Sequence, residues 1–271
     1  MGKRNSRPWV VSDELWLLIE PLLPVPAPKL VAGRPRVPDR QALCGILFVL
    51  HTGIQWEYLP QELGFGSGMT CWRRLAAWNE AGVWDRLHVV LLTKLRAAKQ
   101  LDWSRAVIES PCPGRSTGPK SGPSPVDRAR SGSKHHILVD GQGIPLAVSL
   151  TGGNRNDVTQ LMPLLAKIPP VAGRAGRPRR RPDALLGDRG YDHDKYRRQV
   201  WATGVKPLIA RRGVPHGSGL GIHRWGVERT IAWLHGFRRL RIRWERRDDI
   251  HEAFLGLATC LITHRHVQRL C

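Results

Sequence analysis

"HHILVDGQGIPLAVSLTGG", residues 135–153, decides what kind of domain this chain builds. Two apolar runs flank Asp140-Gly141-Gln142-Gly143, the pattern of two strands joined by an Asp-Gly-containing turn. Upstream, "SRAVIE" (104–109) is a short strand candidate. Downstream, Asp157 is placed to cap "VTQLMPLLAKI", with Gln160 completing a capping box. "DALLGDRGYD" (183–192) reads as a buried strand followed by a tight turn. "HDKYRRQVWATG" reads as a helix, "VKPLIA" as a strand, and "HRWGVERTIAWLHGFRRLRIRWERR" (223–247) as one long basic helix. "AFLGLATCLIT" (253–263) is a buried helix, too short to span a bilayer. The resulting order, β-β-β-α-β-α-β-α-α, predicts an α/β domain with a mixed central sheet and helices on both faces.

The first 100 or so residues have a helical rather than a strand period. Ser12 or Asp13 can cap a helix carrying Leu15, Trp16 and Ile19, stopped by Pro24. Asp39 is placed to cap "RQALCGILFVLHTG" and Thr70 to cap "CWRRLAAWNEAG". Gly82 suits a left-handed C-cap before "VWDRLHVVLLTKLRAAK". Short helices with a basic exposed face predict a compact DNA-reading bundle of the helix-turn-helix kind. Arg73 and Arg74 point away from the apolar side of their helix. As a phosphate-binding pair or as a solvated face, they fit equally well.

Charge narrows the partner. The chain has 271 residues, 41% of them hydrophobic, and carries 43 Lys+Arg against 22 Asp+Glu, a net +21. Such an excess points to a polyanion, because neutralising phosphates releases condensed counterions. No basic amphipathic terminus suits a membrane surface, and "MGKRNSRPWV" lacks the apolar region of a signal peptide. Basic Gly/Pro/Ser-rich loops are expected at 110–134 and 170–182. "AGRPR" occurs at 32–36 and again at 175–179. It places Arg34, Arg36, Arg177 and Arg179 either along an A·T-rich minor groove or in a solvated linker. Five cysteines at no metal-ligand spacing read as reduced thiols in a cytosolic protein. His135 and His136, adjacent on a strand, point to opposite faces.

In so basic a chain, carboxylates at strand ends stand out. Phosphoryl-transfer sites hold two divalent ions through carboxylates, one to activate the attacking oxygen and one to stabilise the leaving oxygen. Asp188 follows "ALL" at a strand end, and Glu109 follows "AVI" in the same manner. Glu228 is the helical candidate, on one stripe with Arg224 and His235. Taken singly, each has a plainer reading: a turn-capping Asp for Asp188, an i–4 ion pair with Arg224 for Glu228.

These motifs resemble a family. "LLGDRGYD" followed by "HRWGVERTIAWLHGFRRLRIRWERR" is similar to the catalytic core of bacterial DDE transposases of the insertion sequence five family. "WVVSDELWLLIEPLLP", "GRPRVPDRQALCGILFVLHTGIQWEYLP" and "GPSPVDRARSGSKHHILVDGQGIPLAVSLTGGNRNDVTQL" extend the likeness over nearly the whole chain. The resemblance implies a ribonuclease-H-like catalytic domain (101–271) behind a helical DNA-binding domain (1–100). It implies Mg²⁺- or Mn²⁺-dependent cleavage at transposon ends and strand transfer into target DNA. The implied partner is double-stranded DNA, bound as a homodimer in the bacterial cytoplasm at the nucleoid, with no membrane and no small-molecule substrate. Asp188 then takes the second catalytic position and Glu228 the third, with Arg224 beside it. Arg238, Arg239 and Arg241 join Arg73 and Arg74 as DNA-holding residues.

Three positions depart from the family pattern. Gly221 stands for a Tyr and His235 for a Lys in the helix signature. Glu109 stands where the family has Asp. One extra methylene moves a carboxylate by more than an ångström, and misplacement of that order costs orders of magnitude in rate. After it the chain reads "SPCPGRST" where a run such as Ser-Ser-His-Val-Arg-Ala is expected. Two compensating small insertions or deletions would account for residues 110–117. Three readings stay open: an active transposase, if impaired at its first catalytic position; a catalytically inactive relic that occupies transposon ends; and a nuclease of the same fold that does not transpose.

Overall fold

A computed structural model describes residues 7–26, 35–112, 118–125, 128–213 and 220–270. Four helices open the chain: α1 (Asp13–Ile19), α2 (Asp39–Thr52), α3 (Gly68–Glu80) and α4 (Val83–Ala97). Ser12 caps α1, its hydroxyl accepting from Leu15 N–H. α3 starts earlier than the expected Thr70, because Ser67 accepts from the Thr70 N–H and draws the chain into helix one turn sooner. Asp39 is the first residue of α2 rather than its cap.

A six-stranded mixed sheet follows, formed by β1 (Ala106–Glu109), β2 (Gly122–Pro123), β3 (Ser131–Asp140), β4 (Pro145–Gly152), β5 (Ala184–Gly187) and β6 (Lys206–Ile209). β1 lies between an antiparallel β3 and a parallel β5; β6 extends the parallel side, and β4 pairs with the outer edge of β3. Among the helices, α5 (Leu161–Lys167) and α6 (Asp194–Ala202) separate the later strands, and α7 (Trp225–Gly236), α8 (Arg238–Arg241) and α9 (Asp248–Val267) end the chain. The order expected from the sequence is observed, with β2 and α8 added. The helix after β4 has a different start. Asn156, not Asp157, caps it, and a 3-10 turn (Asp157–Gln160) precedes α5.

Alternation along the strands divides the core in two. Val107, Ile137, Val139, Ala184 and Leu186 point to the face covered by α9, α7 and the N-terminal helices. Ala106, Ile108, Leu138 and Leu185 point to the other, covered by α5 and α6. Each buried Val, Leu or Ile among these contributes roughly 1.5–3 kcal/mol. The first core runs without interruption from α1–α4 into α7–α9. Asn79 of α3 donates to Asp249 O at 3.2 Å, and Cys260 of α9 donates to Trp84 O. His135 and His136 do face opposite ways, His135 meeting His251 of α9 at 2.8 Å.

The long helix expected over 223–247 is not one helix. α7 ends at Gly236, and Phe237 takes an extended conformation and enters the core beside His51. Gly is a weak helix former, so the chain breaks there at small cost. Residues 242–247 leave helical structure altogether. No helix among the described residues is long and apolar enough to cross a membrane. Cys44, Cys71 and Cys260 are free thiols.

Asp140 closes the β3–β4 turn. Its carboxyl accepts from the N–H groups of Asp102, Gln142 and Ile144. Burial pushes its pKa up to about 7, against those donors. A carboxyl raised on folding contributes stability that is full below its unfolded pKa and lost as pH rises through the folded one. Thermal melts from pH 4 to pH 8 are therefore expected to fall more steeply for wild type than for Asp140→Asn, with the divergence building between about pH 4 and pH 7 and levelling off above neutrality.

Candidate active site

β1 and β5 are parallel neighbours, pairing Ala106 with Leu185 and Val107 with Leu186. Two residues further along, the same register brings Glu109 beside Asp188. Both share the parity of the residues that face α7. α7 meets them there. Arg224, its N-cap residue, donates from Nη2 to Glu109 Oε2 at 2.5 Å. The Arg224 Nε lies 3.9 Å from Glu228 Oε1, one helical turn away. Asp188 caps the following 3-10 turn, its Oδ1 accepting from Gly190 N–H at 2.9 Å.

One guanidinium thus faces all three carboxylates. Burial works to lower the Arg224 pKa, but Glu109, Asp188 and Glu228 together raise it. Burial raises the Glu109 pKa; Arg224 opposes that rise and Asp188 adds to it. Glu228 is the most open of the three, its side chain 63% exposed.

α7 is held in place by its first turn. Gly226 packs against the β3–β4 turn, and Thr230 Oγ1 donates to Gly143 O at 2.5 Å. Gly143 has φ +86°, and a Cβ there would meet Gly226 O at 2.6 Å, so this position accepts only glycine. Behind Glu109, on the other sheet face, Ser110 Oγ lies 2.6 Å from both His136 Nδ1 and the Tyr191 hydroxyl. The sequence gives Thr230, Gly143, Ser110, His136 and Tyr191 no role in the site. Tyr191 carried a signal, since it adjoins Asp188 in a turn, and a buried phenol needs a partner.

The three carboxylates offer oxygen donors only, the chemistry that Mg²⁺ and Mn²⁺ take, and in that respect they suit a divalent ion. Among the described residues, no group of three His, Cys, Asp or Glu side chains is arranged to hold a metal ion. In their present arrangement the Arg224 guanidinium supplies the positive charge.

The arginines expected to hold DNA fall into several groups. Arg73, Arg177, Arg238 and Arg241 are exposed. Arg36 is exposed and paired with Asp39 at 3.2 Å. Arg179 is half-buried, paired with Asp183 and lying over the Trp103 ring. Arg74 turns inward to Asp39 and Val37 O rather than outward with Arg73. Arg239 is buried, its guanidinium bonded to Glu245 at 2.5 Å and to the carbonyls of Gly53 and Ile54. A side chain so enclosed has no surface to offer a phosphate. Arg34 lies outside the described residues. His235, expected to share a face with Glu228, is half-buried; its carbonyl accepts from Arg241 Nε.

Carboxylates on adjacent strand ends, with a third on the helix above them, are a donor set that could serve metal-assisted phosphoryl transfer. Comparison with known proteins agrees. Residues 101–219 and 220–263 match the "Transposase DDE domain" family, and residues 11–88 match "Putative transposase of IS4/5 family (DUF4096)". A curated Burkholderia cepacia protein, "Putative transposase for insertion sequence element IS402", is 57% identical over 165 residues, which cover 61% of this chain and 77% of that protein. A second from the same organism, "Insertion element IS402 uncharacterized 16.2 kDa protein", is 60% identical over 103 residues, covering 37% of this chain and 70% of its own length. The chain belongs to the DDE transposases of the IS4/5 family.

The two arginine roles separate by stability. Arg239→Ala leaves Glu245 buried without its cation and is expected to cost about 3–5 kcal/mol in chemical denaturation. Arg241→Ala, on the surface, is expected to stay within about 0.5 kcal/mol of wild type.

Proposed function

We propose that this transposase uses Glu109, Asp188 and Glu228 to hold a divalent ion, Mg²⁺ or Mn²⁺, and cleaves DNA at the ends of its insertion sequence before strand transfer. The observation that carries this reading is the Glu109–Arg224 ion pair. It joins the end of β1 to the start of α7 and sets three carboxylates, far apart in sequence, around one guanidinium. The domain family implies a ribonuclease-H-like fold, and the β4-β3-β1-β5-β6 strand sequence accords with it.

Each residue then has a task. A bound metal would activate the attacking oxygen and stabilise the leaving one. Asp188 is oriented by its own turn through Gly190 N–H. Arg224 works against the rise that burial imposes on the Glu109 pKa and offers a charge to a DNA phosphate. Glu228, being exposed, meets the substrate side. Arg73, Arg177, Arg238 and Arg241 supply exposed positive charge for the DNA backbone. The helices of residues 1–100 would read the element's ends and residues 101–271 would cut them, in a dimer that holds two ends together at the bacterial nucleoid.

A second reading has its own support. Glu109 stands where the family has Asp, its carboxylate one methylene further from the end of β1. This favours a copy impaired at its first catalytic position, at the limit a protein that occupies transposon ends without cutting them. Nicking of a duplex bearing the element's end separates the two. The first reading predicts Mg²⁺-dependent nicking that is lost in Asp188→Asn, with salt-sensitive DNA binding retained. The second predicts binding without nicking. If the extra methylene is the lesion, Glu109→Asp raises the rate by about 10²-fold; no gain places the lesion elsewhere.

A further inference from the structure

Behind the carboxylates, on the sheet face away from α7, runs a line of polar groups that the proposed chemistry does not use. The Tyr191 hydroxyl lies 2.6 Å from Ser110 Oγ, which lies 2.6 Å from His136 Nδ1. His136 Nε2 lies 2.6 Å from Thr151 Oγ1, which in turn donates to Gly152 O at 3.3 Å. Tyr191 and His136 are both buried. Four side chains from β1's end, β3, β4 and the Asp188 turn are therefore linked in a single file.

Proton accounting gives the file a direction. Burial holds His136 down to about 4, so the ring is neutral and one nitrogen must accept. Thr151 gives its proton to Gly152 O, so it accepts from His136 Nε2–H. His136 Nδ1 is then the acceptor, and Ser110 must donate to it. Ser110 Oγ in turn accepts from Tyr191, whose hydroxyl has no other hydrogen-bond partner among the described residues. Every proton is used when the chain runs from Tyr191 through Ser110 to His136, and from the far side of the ring through Thr151 to Gly152.

Two members of this line are tied to the residues that carry the carboxylates. Tyr191 N–H donates to Asp188 O at 3.2 Å, and its ring belongs to the same 3-10 turn that Asp188 caps. Ser110 follows Glu109, and its N–H reaches Glu109 Oε1 at 3.4 Å. Pro111 O next accepts from His135 N–H at 3.0 Å, which keeps the chain alongside β3 past the end of β1. We propose that Ser110 is a positioning residue: its hydroxyl, accepting from Tyr191 and donating to His136, locks the end of β1 against the turn that carries Asp188. The two carboxylates are thereby held at one separation. This proposal rests on the metal-holding role given above to Glu109 and Asp188.

Two measurements on the full chain test it, neither needing catalytic turnover. In nitrogen-15 NMR of histidine-labelled protein, His136 is expected to carry its proton on Nε2 with Nδ1 as acceptor. A proton on Nδ1 would reverse the chain and overturn the assignment. Mn²⁺ affinity, read by electron paramagnetic resonance without DNA, is expected to fall about 10- to 100-fold in Ser110→Ala. It should recover in Ser110→Thr, with both variants melting near wild type. Unchanged affinity in Ser110→Ala overturns the proposal, as does equal loss in both variants with a lowered melting temperature, which marks general packing. Wild-type Mn²⁺ affinity in Asp188→Asn would instead remove the site assignment on which the proposal rests, and would be seen whatever Ser110→Ala does.

Discussion

The Glu109–Arg224 ion pair is the contact on which the site depends. It is the direct link between the end of β1 and the helix that carries Glu228. A half-buried carboxylate without a counter-charge would rise in pKa and take up a proton. Arg224 opposes this, and it does so from the first turn of α7, so neutralising Glu109 also fixes the helix. The Gly226–Gly143 backbone contact and the Thr230–Gly143 hydrogen bond hold the same turn from the other side. The position of Glu228 follows from these two anchors.

The rest of the molecule holds the two sides of that contact still. One apolar core runs from the N-terminal helices through α9 to the sheet face beneath α7. Arg239 and Glu245 close its lower end, tying the chain after α7 to the C-terminus of α2 at Gly53 and Ile54. Removing a buried charge from such a pair costs more than the pair contributes, because the partner is left unsolvated. The arginine-rich stretch at 238–247 therefore does two jobs. Arg238 and Arg241 face water, while Arg239 and Arg243 hold the fold together.

Much of this was legible in the residues. "AVI" before Glu109 and "ALL" before Gly187-Asp188 are short apolar runs bounded by turn signals, the pattern that a buried strand leaves. The hairpin at Asp140–Ile144 and the helices with caps at Ser12 and Gly82 followed from local chemistry. Failures came where the deciding partner is distant. Arg239 looked solvent-facing because Glu245, its partner, lies beyond a helix break at Phe237 that helical periodicity runs straight through. Arg74 looked like a twin of Arg73 because Asp39, which draws it inward, is on another helix. Ser110 and His136 carry no pattern of their own. They are joined only when β1 and β3 pair and the Asp188 turn folds over them. The departure at Glu109 was visible at once, but that Arg224 would engage it was not.

A double-mutant cycle on Glu109→Gln and Arg224→Gln, read as unfolding free energy in the full chain at neutral pH, tests the central contact most directly. If the pair holds the site, the two substitutions are coupled by about 1–3 kcal/mol. Coupling indistinguishable from zero would mean that β1 and α7 meet through some other contact, and that the three carboxylates do not share one charge centre.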